Sequence, residues 1–332
     1  MGPLGHNLPG AFVGDAAIQK RGILRIKYPV KTGAIYDFDD MEMVWNHVFM
    51  HELNVPPERQ PVLLTDSPTN EKSNRERMAQ VAFESLNINA LNISSQSSLA
   101  LYATGRITGV VLDSGEGVTH ATAILNGVPI PEAVQKANIG GKVLADRFID
   151  SLLERGIWYL TRREGGIARD ILKQHGYVAT NYHQEMQLDE VERPYKLPDG
   201  ESVLLVGKER FGVPEALFQP SLHDLNTTEG VHSLVNICIG RANPGIQSQL
   251  YNNIVVAGGN TMFPGFVDRL EGEMIALAPA NTTVSLVAPS DRHLATWKGG
   301  SILSSLSIFN QMLVTKEEYE EKGPSALHKR WF

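Results

Sequence analysis

The run Val110-Val111-Leu112-Asp113-Ser114-Gly115-Glu116-Gly117-Val118-Thr119-His120 constrains this chain more than any other stretch. An apolar, β-branched segment carries a carboxylate into a turn of small residues, and Thr119 to Leu125 leaves that turn as a second strand. Gly115 and Gly117 tolerate backbone angles that other residues avoid. Consecutive N–H groups can therefore converge on an anion, while Asp113 can hold a hydrated cation beside it. The anion suggested is phosphate. Spacing alone leaves an ordinary glycine-rich hairpin turn as an equal alternative. What favours the ligand reading is a distant second element, Asn253-Ile254-Val255-Val256-Ala257-Gly258-Gly259-Asn260-Thr261-Met262-Phe263-Pro264-Gly265. It is again a buried-type strand ending in a glycine pair, followed by a helical pattern from Phe266 to Leu277. Two such turns, one from each of two lobes, can face one ligand.

Two lobes are what the length supports: 332 residues, 42% hydrophobic and 20% charged, suffice for two cores. A formal charge of −7 gives no electrostatic footprint for nucleic acid or an acidic membrane. The single cysteine, Cys238, sits in the apolar run Leu234 to Ile239, cannot form an internal disulfide and suits a reducing compartment. No basic segment followed by an apolar core opens the chain, and no apolar run approaches a membrane span, so direct membrane insertion is not expected and the cytoplasm is the default. On the same ground Asn92-Ile93-Ser94, Asn226-Thr227-Thr228 and Asn281-Thr282-Thr283 read as chance matches to the glycosylation pattern. His47 and His51 lie four apart in a helical pattern with Met41, Val44, Trp45, Val48 and Phe49, but no third metal ligand stands at a usable spacing.

The remaining patterns predict a short buried strand at Val62-Leu63-Leu64 and a helix over Asn74 to Phe83. Ser94 to Ala103 reads as a helix dense in small residues. Gly140-Gly141 starts a helix with Leu144, Phe148 and Leu152 on one face, and a second covers Gly166 to His175. Gln184 to Pro194 is polar and reads as a loop, and Leu197-Pro198-Asp199-Gly200 as a turn whose return strand spans Glu201 to Val206. Helices are expected at Val231 to Ile239 and Gln247 to Tyr251, and a strand at Thr283 to Ala288. One helix is expected over Gly299 to Met312, with Ile302, Leu306, Phe309 and Leu313 on one face.

At the hairpin and the Gly258-Gly259-Asn260-Thr261-Met262-Phe263-Pro264-Gly265 turn the sequence resembles actin. Further blocks agree: Lys20-Arg21-Gly22-Ile23-Leu24, Lys27-Tyr28-Pro29, Pro61-Val62-Leu63-Leu64-Thr65, Leu197-Pro198-Asp199-Gly200, Pro214 to Ser221, and Trp297 to Leu303. The likeness runs from about Val13 to Phe332. It implies an α/β, actin-like ATPase fold, the plan shared by sugar kinases, heat-shock chaperones and actins, with two lobes of mixed sheets flanked by helices around a nucleotide cleft. On that plan residues 1–11 are an unstructured start and 12–28 a remnant of the small outer subdomain, with Asp15 to Lys20 as a turn and Gly22 to Lys27 as a strand. Residues 29–103 with 297–332 form the first lobe, 104–139 with 229–296 the second, and 140–228 an inserted subdomain. The family's opening strand and first phosphate loop have no counterpart here, so a first lobe incomplete at its N-terminal end is expected.

The resemblance also implies roles. Asp113 would hold the waters around Mg²⁺. The nucleotide would be ATP or ADP with Mg²⁺, and Gln96 and His120 would position a water in line with the terminal phosphate of ATP. Ser114, Gly115, Glu116, Gly117, Val118 and Gly141 would surround the phosphates, and Lys173, Gly258, Gly259, Asn260, Met262, Phe263 and His293 the nucleoside. Implied partners are further copies of the chain, other actin protomers and actin-binding proteins, in a cytoplasmic cytoskeleton. Phe218 to Gly230 corresponds to the family's filament-bridging plug loop. Departures cluster at the site: Glu116 stands for an aspartate, Lys173 for a ribose-contacting glutamate, and Leu172 and His293 for lysines. Thr32 stands for a histidine, Asn138 for an aspartate and, at the tail, Trp331 for a cysteine. Because Mg²⁺ demands near-ideal geometry, they argue for at most a slow, filament-coupled ATPase. The alternative is an actin-related scaffold or capping subunit with a degenerate nucleotide site that acts only through protein contacts. A sugar-kinase-like enzyme is disfavoured, since no separate carboxylate is placed as base for a substrate hydroxyl.

Overall fold

The computed structural model describes residues 11–329 except 21, 159, 161–164, 190, 199, 224 and 226–228. The expectations for 1–10, Arg21, Asp199, Asn226 and Trp331 therefore lie outside the described residues. Contacts divide the chain into two units, 1–66 with 70–93 and 307–331, and 67–69 with 94–306 and 332. Residues 94–103 and 297–306 thus go with the second unit, where the sequence reading placed them in the first lobe. Among the described residues no helix is long and apolar enough to cross a membrane.

In the first unit a three-stranded sheet runs in the order Val314–Thr315, Ala90–Ser95, Pro61–Asp66. The helix Phe38–His47 begins where the Asp37 carboxylate accepts from the Asp40 N–H at 3.0 Å, satisfying one of the donors a helix start leaves open. Trp45 of this helix, Met78, Phe83, Leu91 and Tyr319 belong to one apolar core, in which the Phe83 and Tyr319 rings stack at 4.4 Å. The expectations for the start need correcting: Asp15–Gln19 is a short helix, not a turn, and residues 22–27 are not a strand. The first strands are Val30–Lys31 and Ala34–Ile35, which pair with each other. Among the described residues no strand pairs with 22–27 to share their hydrogen bonds.

The second unit is built on a mixed sheet. Its central strand, β1 (Gly109–Ser114), pairs antiparallel with β2 (Thr119–Leu125), which also pairs with β3 (Gln135–Ala137). On the other side of β1 lies β4 (Ile254–Ala257), parallel to it, and beyond that β5 (Leu286–Val287). Alternation sorts the side chains. Val110, Leu112, Ile254 and Val256 enter the large core with Phe148, Phe218 and Phe266, whereas Val111, Val255 and Ala257 pack with Ala100, Leu101 and Ala295. These last three residues come from α1 (Gln96–Tyr102) and the start of α5 (Ala295–Ser305). A Cβ on Gly299 would overlap the Leu99 carbonyl, so glycine is what lets α5 lie directly on α1. The helices Val231–Arg241 and Pro244–Tyr251 lie on the first face, and α2 (Gly141–Glu154), α3 (Gly165–His175) and α4 (Phe266–Leu277) share its core.

Several boundaries differ from expectation. Ser94 and Ser95 close a strand, and the helix starts only at Gln96. The helix expected over 299–312 is two: α5 stops at Leu306, whose ψ of 142° is extended, and Phe309–Met312 is a separate turn. Gly299, Gly300 and Leu303 face inward, so Ile302 and Leu306 are exposed while Phe309 and Leu313 are buried. Close packing through glycine decided the face, not the apolar period. Gln184 to Pro194 is not wholly loop: Tyr182–Glu185 is a helical turn capped by Asn181, and Arg193–Lys196 pairs with Val203–Val206. The strand at Thr283 to Ala288 shrinks to Leu286–Val287.

Candidate functional site

The register of the sheet aligns four residues in a row. Ala257 lies opposite Asp113, Asp113 opposite His120, and His120 opposite Lys136. Directly opposed residues share a face, so these side chains project on the side that carries Val111 and Val255. Because α1 leads back into β1, its first residue, Gln96, lies towards the end of the strand where Asp113 sits. The Ser97 hydroxyl, donating to the Thr122 hydroxyl at 3.1 Å, pins that helix start to β2. The carboxylate, imidazole and amide side chains singled out by the sequence thus come to one end of one sheet face, at the carboxyl ends of two parallel strands where ligands of α/β sheets bind.

Hydrogen bonds lock the two glycine turns together. Asn260 donates to the Ser114 hydroxyl at 3.1 Å and to the Gly115 carbonyl at 2.7 Å. The Thr119 hydroxyl donates to the Ile139 carbonyl at 2.8 Å, so the Ser114 hydroxyl, 2.8 Å from it, must give its own proton to Thr119. Ser114, fully buried, has no donor left for a ligand. Gly115 N–H is likewise used, on Val118 O at 3.1 Å. Glu116, Gly117 and Val118 supply the remaining amides at the tip. Gly258 has φ +92°, and a Cβ there would strike the Ser114 carbonyl and come within 2.6 Å of Asp113 Oδ1. Only glycine lets the second turn pass this close. The α2 start closes the other flank, with Gly141 N–H on Gly115 O and Lys142 N–H on Glu116 O, both at 3.0 Å.

One stripe of α3 runs between the turns. Arg169 reaches Glu116 at 2.6 Å, Lys173 follows one helical turn later and is exposed, and beyond the helix a Cβ on Gly176 would come within 2.7 Å of the Phe263 ring. Met262 and Phe263 are half-buried, and Gly259 and His293 are exposed. The segment carrying His293 is fixed by Arg292, which donates to the Thr261 carbonyl at 2.5 Å and hydroxyl at 3.1 Å and to Pro289 O at 3.1 Å.

Electrostatics separate the two titratable residues at the centre. Burial raises the Asp113 carboxyl to about 6. Burial first, and then the charge of Lys136, lowers His120 to about 4. His120 is therefore neutral at pH 7, and its Nε2 lies 3.0 Å from the Thr69 and 3.4 Å from the Ser67 hydroxyl. Burial also raises the Glu116 carboxyl, against the opposing effect of Arg169. The residues fit a water-bound divalent cation: Asp113 is a desolvated carboxylate whose shift has no counter-charge behind it, and Mg²⁺ sites commonly use one or two carboxylates with waters and ligand phosphates. No cluster of three His, Cys, Asp or Glu side chains able to hold a metal directly occurs among the described residues.

Sequence reasoning missed Lys136, Arg169, Arg292, Ser67 and Thr69. Lys136 sits on a three-residue strand too short to show a period, and the others act through contacts distant in sequence. The family model described as Actin matches residues 6–332 of the chain.

Proposed function

The chain belongs to the actin family, and from that premise we propose that it binds ATP or ADP with Mg²⁺ at the two bridged turns, and assembles with itself or other actin protomers in a cytoplasmic cytoskeleton. The observation that carries this reading is Asp113, a desolvated carboxylate with no counter-charge among the described residues, between two glycine turns tied by Asn260. Lys142 and Arg169 beside Glu116 at the hairpin tip, and Lys136 beside His120, supply positive charge suited to a polyphosphate. Mg²⁺, when bound, supplies charge compensation on the phosphate oxygens. In this reading Asp113 orients the cation's waters, the tip amides of Glu116, Gly117 and Val118 hold phosphate oxygens, and Gly258, Gly259, Met262 and Phe263 flank the base. Gln96 and His120 place a water.

Hydrolysis in this reading is slow. His120, neutral and already engaged with Thr69, is a poor proton relay, and Glu116 is drawn towards Arg169. That ion pair is also what favours the second reading, a scaffold or capping subunit, since it occupies the tip carboxylate with protein. Thermal unfolding with and without Mg-ATP tests the choice. Nucleotide at about a hundred times Kd stabilises by roughly 2.7 kcal/mol, several degrees for a domain of this size. A shift that disappears in Asp113→Ala supports the nucleotide site; no shift in the unaltered protein supports the scaffold.

A further inference from the structure

An open cleft of about 560 Å³ lies where α3 ends, and no residue of the Asp113 row lines it. Its volume is in the range of small-molecule sites. One wall is apolar, with Val178, Leu188, Val191 and Pro264, and the other carries His175, Arg193 and Arg210. Arg210 is fixed in place: Nε donates to the His175 carbonyl at 3.1 Å, Nη1 to the Val191 carbonyl at 2.6 Å, and the Tyr177 ring lies 5.0 Å from its guanidinium. No partner of Nη2 is found among the described residues. Arg193 is exposed, and among the described residues its Nη1 donates to the carbonyl of its neighbour Glu192, at 2.9 Å.

The carboxylates around this wall already have partners. Glu185 accepts the Tyr177 hydroxyl at 2.6 Å, and Glu209 is held by Arg155 and the Gly207 N–H. Burial, and to a lesser degree the charge of Arg193, lowers the pKa of Arg210 against the pull of Tyr177, Glu185 and Glu209. His175 is lowered by burial and by Arg210, which keeps it neutral. Asp170, which opposes that shift, already accepts from Tyr195 and Gln174. Among the described residues, two guanidinium groups and one carboxylate, that of Glu185, line the cavity.

We propose that this cavity is a second ligand site, for a small organic anion whose carboxylate or phosphate head lies between Arg193 and Arg210 and whose apolar body rests on Leu188, Val191 and Pro264. A planar guanidinium is well matched to either head, and the apolar wall requires a body that inorganic phosphate lacks. The site is independent of the nucleotide reading.

Calorimetric titration of the full chain with phenyl phosphate, benzoate and inorganic phosphate tests it. One organic anion is expected to bind at a single site with Kd below about 1 mM, and inorganic phosphate about tenfold more weakly or worse. The stronger of phenyl phosphate and benzoate identifies the head. Arg193→Gln removes no contact the fold depends on and is expected to weaken binding about tenfold. Leu188→Trp, at a half-exposed position, is expected to fill the cavity and abolish it. The proposal is overturned if neither organic anion binds at millimolar concentration, if both variants bind as the unaltered chain does, or if Lys136→Gln removes the binding, which would place the anion at the hairpin.

Discussion

Asp113 and His120 face each other across two strands and are displaced in opposite directions, with a measurable consequence. A carboxyl near 3.9 when unfolded and about 6 when folded binds its proton more tightly in the native state. Its contribution to stability is therefore lost as pH rises from about 4 to about 6. An imidazole near 6.5 unfolded and about 4 folded does the reverse, and costs stability as pH falls through that window. The two slopes oppose each other between about pH 4 and 6. Asp113→Asn is expected to stabilise the ligand-free chain at pH 7.5 by up to about 3 kcal/mol, to lose that gain below about pH 4, and to expose the acid-side loss caused by His120. Urea unfolding at a series of pH values measures this, and an equal gain at pH 4 and pH 7.5 would show that burial does not act on this carboxyl. Asp113 was legible because a carboxylate delivered by an apolar strand into a glycine turn is locally unusual. The burial of His120 was not, since it depends on Ser67 and Thr69, more than fifty residues earlier.

At the scale of elements, the hairpin, the second glycine turn, α2 and α3 could all be read from the sequence, because each has a period and a glycine boundary. The turns' attachment to each other could not. Asn260 appears in the sequence only as a member of a glycine-rich run, yet it donates to both Ser114 and Gly115. Its loss removes the donor to the buried Ser114 hydroxyl and leaves the Gly115 carbonyl with the Gly141 N–H alone. Asn260→Ala is expected to cost about 1–3 kcal/mol. It should also speed hydrogen exchange at the Gly141 and Lys142 amides, whose acceptors are the carbonyls of Gly115 and Glu116, while leaving Val255 in the sheet protected. Equal loss of protection at Val255 would mean the residue supports the whole unit and not the turn. The missed break at Leu306 has the opposite origin. There an apolar period was present, but the close approach of α5 to α1 through Gly299 selected a different face.

For the whole molecule, length pointed to two cores, and the clusters around Trp45 and around Phe148 have no buried residue in common. All the candidate ligand residues lie in the second unit. A ligand that binds only there stabilises that unit directly, and stabilises the first only if the two unfold together. Tryptophan distinguishes these cases. Trp45 is buried in the first unit, whereas Trp158 and Trp297 of the second are 77% and 69% exposed and change environment little on unfolding. Emission wavelength therefore reports the first unit, and far-UV circular dichroism, dominated by the larger helical content of 94–306, reports the second. With saturating Mg-ATP the dichroism midpoint is expected to rise by several degrees while the emission midpoint stays in place. A joint rise would mean that the units form one cooperative structure, through which occupancy of the glycine turns reaches the core around Trp45. A rise in emission alone would place the nucleotide outside the Asp113 row.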